Sequence, residues 1–304
     1  MISFRYHLVS IVSVFLALAL GVLVGTTVVN QGIVNDLRRR TNDAVKNSDK
    51  LRDQVADLKA QADAAKNFQS IVMPMLIKDQ LTGAEVLVVT QQDVSASDVD
   101  GVRRALVDAG ASVVAEIVVT NRMALSDDRS RADLAQALGT ADSNDPEQMA
   151  RAAAAAVAAR LANGPGLTGT ADLLDSLGSA GFLVRRGATG TPGIGGGGQA
   201  VVLLSGTRAV PAVDPGLFMA PLAGALVQAG RPVAAAETQT TVAPFVPLLR
   251  EDGSLDGHLV TVDDADNMSG RVALVLGLRD LLASPGKGGD YGVKPGASAI
   301  LPKP

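Results

Sequence analysis

The feature that most constrains this chain is an uncharged apolar run near its N-terminus. From Leu8 to Val29 no side chain is charged. At about 1.5 Å per residue, such a helix crosses the ~30 Å hydrocarbon core of a bilayer. Residues 1–29 are therefore predicted to form a membrane anchor. The alternative is a cleaved signal peptide, since Ala17-Leu18-Ala19 has the small-residue form of a cleavage site. The run nevertheless continues to Val29, which a signal peptide does not need.

Three small residues in this run are spaced by four: Ala17, Gly21 and Gly25. They form a small-xxx-small face, which lets two membrane helices approach closely. The spacing predicts association of two copies in the membrane. The alternative is that these glycines reflect the high glycine frequency of membrane spans.

Residues 30–73 are polar and fit a heptad pattern, which predicts a helical coiled-coil stalk and a homodimer or higher homo-oligomer. The alternative is a solvated amphipathic helix that packs on nothing. Pro74 is expected to break this helix. The predicted seam consists of Val34, Leu37, Thr41, Ala44, Ser48, Leu51, Val55, Leu58, Ala62 and Ala65.

Residues 83–284 alternate between short β-branched runs and helical periodicity. Strand, helix and strand follow one another from Ala84 to Thr120, which is typical of a βαβ unit with parallel strands. The alternation predicts an α/β domain with an open, doubly wound, mainly parallel sheet. Within it, residues 187–199 are glycine-rich and predict a flexible loop, and the aperiodic residues 285–304 predict a disordered tail.

Composition and missing motifs narrow the function. The chain has no cysteine, which excludes disulfides and thiolate metal sites, and its net charge of −4 argues against non-specific nucleic-acid binding. The first strand-to-helix turn, "TQQDVSAS", lacks the glycines of a dinucleotide site. No serine occupies a Gly-x-Ser-x-Gly motif. The sequence therefore predicts a protein that is not an enzyme, and it identifies no cofactor.

Metal-ligand candidates are few and weak. Asp263, Asp264 and Asp266 follow a predicted strand and precede a helix, where carboxylates suit a hard cation; the alternative is a solvated acidic turn at a helix N-terminus. His258 has no neighbouring histidine. Met73 and Met75 have the thioether ligands of a Cu(I) site, but packing is their alternative role.

Two segments carry a family resemblance. The opening "MISFRYHLVSIVSVFLALALGVLVGT" and the stretch "TVDDADNMSGRVALVLGLRDLLA" resemble the actinobacterial MctB-like proteins, which are described as copper transport proteins of the outer membrane. The resemblance implies copper efflux or copper homeostasis across the cell envelope. It also implies an alternative, because the related corynebacterial SteB is associated with cell separation together with a membrane partner, SteA.

The pattern of the predicted strands indicates whether the chain could form a membrane β-barrel for copper. Strands of a membrane barrel run about ten residues and alternate apolar and polar side chains. The strands predicted here are short, continuously apolar and interleaved with helices, so they do not predict a β-barrel. The copper role is therefore expected to be indirect.

The predicted side of the membrane for the α/β domain rests on the family resemblance. Arg38, Arg39 and Arg40 follow the span, whereas Arg5 precedes it, so the charge count favours a cytoplasmic stalk. The envelope family instead implies a single-pass protein whose α/β domain lies outside the cytoplasm, and this is the expectation adopted.

Overall fold

The computed structural model describes residues 4–141, 143–166, 171–187 and 193–303, and it describes side chains for all of these except 26–31. The chain divides into two units, Met1–Phe68 and Gln69–Pro304. The first unit is helical. The second unit contains every strand formed by the described residues and is an α/β domain.

The first helix, α1, runs from Phe4 to Ile77 and contains Pro74. Its segment Phe4–Gly25 is long and apolar enough to cross a membrane, by length and composition, and fits single-pass anchoring. The expectation that Pro74 breaks the helix is wrong. Pro74 lies in the last turn, where its missing N–H costs a single helical hydrogen bond. The turn is held in place because Met73 and Ile77 are buried in the core of the second unit.

The second unit is built on one open sheet of seven strands in the order β3-β2-β1-β4-β5-β6-β7. All neighbouring pairs are parallel except β2 and β3. The prediction of a mainly parallel α/β sheet, rather than a closed barrel, is confirmed. The strands are β1 (Glu85–Gln91), β2 (Ser112–Val119), β3 (Leu183–Arg186), β4 (Gln199–Ser205), β5 (Val233–Glu237), β6 (Leu259–Val262) and β7 (Gly289–Tyr291).

Helices cover both faces of this sheet because its strands are apolar on both sides. Leu87 and Val89 face one core, whereas Val86 and Val88 face the other, as the alternation of side chains along a strand requires. The first core is covered mainly by α3, α4, α5, α6 and α7, and the second by α2, α8 and the end of α1. These helices are α2 (Ala96–Asp108), α3 (Asp128–Leu138), α4 (Pro146–Asn163), α5 (Leu173–Ser179), α6 (Met219–Gln228), α7 (Val246–Arg250) and α8 (Met268–Ala283).

The C-terminal residues differ from expectation. The segment 285–304 is predicted to be disordered, yet Gly289–Tyr291 forms β7 and pairs with β6. Backbone pairing needs no apolar periodicity, so a three-residue edge strand leaves no pattern in the sequence. In the glycine-rich segment 187–199, residues 188–192 lie outside the described residues; residues 193–198 form turns, and Gln199 already belongs to β4.

Candidate functional site

The strand order places a crevice at the carboxyl end of the sheet. From β1 the chain passes to β2 on one side, and it later returns to β4 on the other side of β1. The loops that leave β1 and β4 therefore diverge to opposite faces. In open α/β sheets, ligands bind at this topological switch point.

A polar pair joins the two strand ends at this switch point. Gln91, the last residue of β1, and Ser205, the last residue of β4, are both buried. The Ser205 hydroxyl donates to Gln91 Oε1 at 2.6 Å, and Gln91 Nε2 donates to the Val213 carbonyl at 2.9 Å. The hydrogen bond between the two side chains links the end of β1 to the end of β4.

A cavity of about 400 Å³ lies at the carboxyl ends of β1, β4 and β5. Its walls come from the start of α2, from the loop after β4, from the residues after β5 and from the turn before α8. Carboxylates, hydroxyls and one guanidinium line it. The lining residues are Asp93, Ser95, Ser97, Asp98, Gly206, Thr207, Arg208, Ala209, Thr238, Thr240 and Asp266.

The wall formed by α2 is fixed by its cap. Ser95 is the N-cap: its hydroxyl accepts from the Asp98 backbone N–H at 3.2 Å and donates to Asp98 Oδ2 at 2.7 Å. Asp93 is held by Asn121 Nδ2 at 3.2 Å and by the Ala212 N–H at 3.1 Å. Ser97 is exposed and lies on the rim of the cavity.

A close approach of two loops forms the opposite wall. Gly206 has φ 137°, a conformation that other residues rarely adopt. A Cβ atom at Gly206 would overlap the Thr238 side chain, so only glycine lets the loop after β4 come so close to the end of β5. Thr238 is 5% exposed and its side chain lines the cavity.

The acidic residues predicted as a metal site have separate partners. Asp263 is fully buried; its Oδ2 accepts from Arg250 Nη1 at 2.7 Å, and its Oδ1 accepts from the Val293 and Lys294 N–H groups. Asp266 Oδ1 accepts from the Gln239 N–H at 2.7 Å. Of the three predicted aspartates, only Asp266 lines the cavity.

Asp264 differs from its neighbours. It is buried, and its Oδ2 accepts from the Ser269 hydroxyl at 2.7 Å, whereas its Oδ1 is buried without a partner. Burial raises the pKa of this carboxyl above its ordinary value, and the Ser269 hydrogen bond opposes that effect. A carboxyl that is buried and already accepts a hydrogen bond from Ser269 is poorly placed to bind a hard cation.

The remaining metal candidates lie apart. His258 is exposed at the start of β6, whereas the three aspartates follow the end of that strand. Met73 is buried in the core, but Met75 is 75% exposed, so the two thioethers point in different directions. Among the residues described, no group of three His, Cys, Asp or Glu side chains is placed to hold a metal ion.

Comparison with known proteins gives the family. The family model described as "Copper transport outer membrane protein, MctB" matches residues 1–302. The chain belongs to the MctB family. It is 28% identical over 314 residues to "Copper transporter MctB" of Mycobacterium tuberculosis (strain ATCC 25618 / H37Rv), and the match covers 99% of each chain. The "Copper transporter MctB" of Mycobacterium leprae (strain TN) is also 28% identical, with the same coverage.

In this MctB-family chain, sequence reasoning missed a second buried ion pair near the cavity. Glu237, the last residue of β5, is fully buried; its Oε1 accepts from Lys294 Nζ at 2.7 Å. Its Oε2 accepts from the Phe245 and Val246 N–H groups. The available signal was a charged residue closing a short apolar strand, the same signal that drew attention to Asp263.

The predicted association residues of the MctB-family chain lie on α1. Gly21 and Gly25 have open space where a Cβ would be, so these positions leave room for a neighbouring helix. Ala17 is one turn before Gly21 on the same helix. The apolar seam residues Leu37, Leu51 and others along α1 are exposed. A coiled coil remains a prediction.

Proposed function

We propose that this chain is a non-enzymatic, single-pass envelope protein that supports copper homeostasis without holding a copper-selective site of its own. The family and its mycobacterial relatives, named for copper transport, support the copper role. The apolar segment Phe4–Gly25 supports a retained anchor. The envelope family supports an α/β domain outside the cytoplasm.

The main support for the indirect role is that the side chains that could bind a metal ion already have structural roles. Asp263 neutralises Arg250, Asp264 is a carboxyl with a raised pKa, and Met73 packs in the core. Tight copper sites need several soft or imidazole ligands that converge on one point. The chain has no cysteine and two histidines. Copper tolerance would then depend on what the α/β domain binds or assembles with.

The exposed side chains that could bind copper can be replaced without damage to the core, which allows a direct test. His7, His258 and Met75 are exposed, so the triple variant His7→Gln, Met75→Leu, His258→Gln should fold normally. We expect deletion of the gene to sensitise cells to copper, and we expect the triple variant to restore tolerance fully. Growth would be measured across a copper series, with the protein level in membranes followed in parallel.

A matched control is Met123→Leu, which makes the same exchange at a buried methionine. A triple variant that reaches the normal membrane level but leaves cells copper-sensitive, while Met123→Leu restores them, would contradict the indirect role. A deletion strain with unchanged copper tolerance would contradict the copper role itself.

The second candidate function is an envelope scaffold for cell division or separation that acts with a membrane partner such as SteA. The exposed seam on α1 favours it, because Val34, Leu37, Leu51, Val55 and Leu58 have apolar side chains that are exposed on a single helix. A pull-down from the native membrane would separate the candidates. Division factors among the bound proteins would support the scaffold, and metal-handling proteins would support the copper role.

A further inference from the structure

We propose that the cavity at the carboxyl ends of β1, β4 and β5 binds a small, neutral, polyhydroxylated ligand of the carbohydrate class. This inference goes beyond the proposed copper role and does not depend on it. It rests on the position of the cavity, on one buried hydroxyl and on the balance of charges in the walls.

Position and size are those of a small-molecule site. The cavity lies at the topological switch point, where open α/β sheets bind ligands. Its volume of about 400 Å³ is within the range of small-molecule pockets, roughly 300–1,000 Å³. The Gln91–Ser205 hydrogen bond joins the ends of the two strands from which the cavity-lining loops after β1 and β4 leave.

A buried hydroxyl marks the inner wall. Thr238 is 5% exposed, and its side chain lines the cavity. Among the described residues its Oγ1 has no hydrogen-bond partner, although the Thr238 backbone groups are bonded to Ser205 and Lys294. Nearly buried polar atoms are normally paired. Thr238 Oγ1 is not among the side-chain atoms that are fully buried without a partner, so it is open to the cavity and can hydrogen-bond a ligand group there.

The walls carry charges of both signs, three carboxylates and one guanidinium, so a charged ligand of either sign meets at least one like charge. Asp93, Asp98 and Asp266 line the cavity, so a phosphate or carboxylate ligand would meet like charges. Arg208 is exposed, has no ion-pair partner among the described residues and lines the same cavity, so an ammonium group would meet a like charge there. A neutral ligand avoids both penalties.

The lining instead matches ligand groups that both donate and accept hydrogen bonds. Each carboxylate accepts hydrogen bonds from protein groups yet has further lone pairs free, as Asp93 and Asp266 show. Arg208 supplies donors, and the hydroxyls of Ser97, Thr238 and Thr240 supply both. Sugar hydroxyls also donate and accept hydrogen bonds, so a polyol can bind both the accepting carboxylates and the donating guanidinium.

The test uses the full chain in lipid nanodiscs with three matched probes: glucose, glucosamine and glucose 6-phosphate. These share one ring and differ in charge. Binding is measured by ligand-observed saturation-transfer NMR at ligand concentrations up to about 10 mM, where weak complexes with a Kd near 1 mM are populated. We expect a signal from glucose that exceeds the signals from both charged analogues.

Two variants locate the binding. Thr238→Val removes the hydroxyl at nearly constant volume and should weaken glucose binding about three- to tenfold, the loss expected for one hydrogen bond. Ser97→Phe places a bulky ring on the exposed rim and should abolish binding without disturbing the core. Ser254→Phe, at an exposed site on the turn after α7, is the matched control and should leave binding unchanged.

Four results would overturn the proposal. They are no glucose signal in the folded full chain, stronger binding of glucose 6-phosphate, stronger binding of glucosamine, or glucose binding that survives Ser97→Phe unchanged. Arg208→Gln provides a further check, because removal of the guanidinium should raise glucosamine binding relative to glucose.

Discussion

Two buried carboxylates, Glu237 and Asp263, lie at the ends of neighbouring strands of the sheet, and each is neutralised by a cation from another segment of the chain. Lys294 reaches Glu237, and Arg250 reaches Asp263, which also accepts from the N–H groups of Val293 and Lys294. A buried carboxylate without such partners would be strongly destabilising. These pairs therefore hold the C-terminal residues onto the sheet.

Asp264 gives a pH prediction at the scale of one residue. Burial raises the pKa of its carboxyl above 3.8, the ordinary value. A group with a raised folded-state pKa contributes stability below its unfolded pKa, and that contribution is lost as the pH rises through the folded pKa. Asp264→Asn removes this titration. The free energy of unfolding of the variant should therefore increase relative to that of the wild type as the pH rises above about 4.

Denaturation followed by circular dichroism at several pH values would measure this difference. Ser269→Ala serves as the companion variant, because loss of the hydroxyl that bonds Oδ2 should raise the pKa of Asp264 further and extend the loss to higher pH. A difference between Asp264→Asn and wild type that stays constant across this pH range would contradict the account.

Sequence reasoning reached some of these residues and missed their partners. Asp263 and Asp264 stood out because they follow an apolar strand. Their contrasting environments depend on Arg250, on Ser269 and on the C-terminal backbone, which the fold brings together. Thr238 and Gly206 left no sequence signal, since a threonine and a glycine after a strand are common.

At the scale of elements, apolar continuity explains which strands could be predicted. β1, β2 and β4 are continuous runs of mainly apolar residues, and β1 and β2 lie within the strand–helix–strand unit predicted from Ala84 to Thr120. β3 and β7 were not predicted, because "LVRR" and "GDY" are short and contain polar residues or glycine. Both lie at the edges of the sheet, where pairing with one neighbour is enough to define a strand.

The end of α1 gives a prediction at this scale. Ile77 is fully buried in the core of the α/β unit, one turn past Met73. Ile77→Ala should lower the free energy of unfolding by about 2–4 kcal/mol, because it leaves a cavity in the core. Leu76→Ala, at a neighbouring exposed position, should change it by less than about 0.5 kcal/mol.

Chemical denaturation of the full chain in detergent, followed by the circular dichroism of the α/β unit, would compare the two variants. Equal losses for Ile77→Ala and Leu76→Ala would show that the last turn of α1 is not part of this core.

At the scale of the whole molecule, self-association in the membrane is the prediction that links anchor and stalk. Two copies held in one membrane meet at high effective concentration. The chain has no cysteine, so single introduced cysteines report contacts without interference. Leu51→Cys, on the predicted seam, should form disulfide-linked dimers in membranes, and Asp53→Cys, on the opposite face, should form few.

The anchor is tested in the same experiment. Gly21→Ile with Gly25→Ile should reduce cross-linking of Leu51→Cys, because the added side chains crowd the small-residue face. Equal cross-linking at positions 51 and 53 would contradict the seam. Cross-linking unaffected by the two isoleucines would contradict the anchor contact.

The central claim, a copper role without a copper-selective site on this chain, is tested most directly by titration of the purified, tag-free full chain in lipid nanodiscs with Cu(I) under reducing conditions. A competing Cu(I) chelator would set the affinity scale, and Zn²⁺ would be the selectivity control. We predict binding no tighter than about 1 μM, roughly −8 kcal/mol, and without preference over zinc. A one-to-one Cu(I) site with nanomolar affinity would contradict the account and establish direct copper handling.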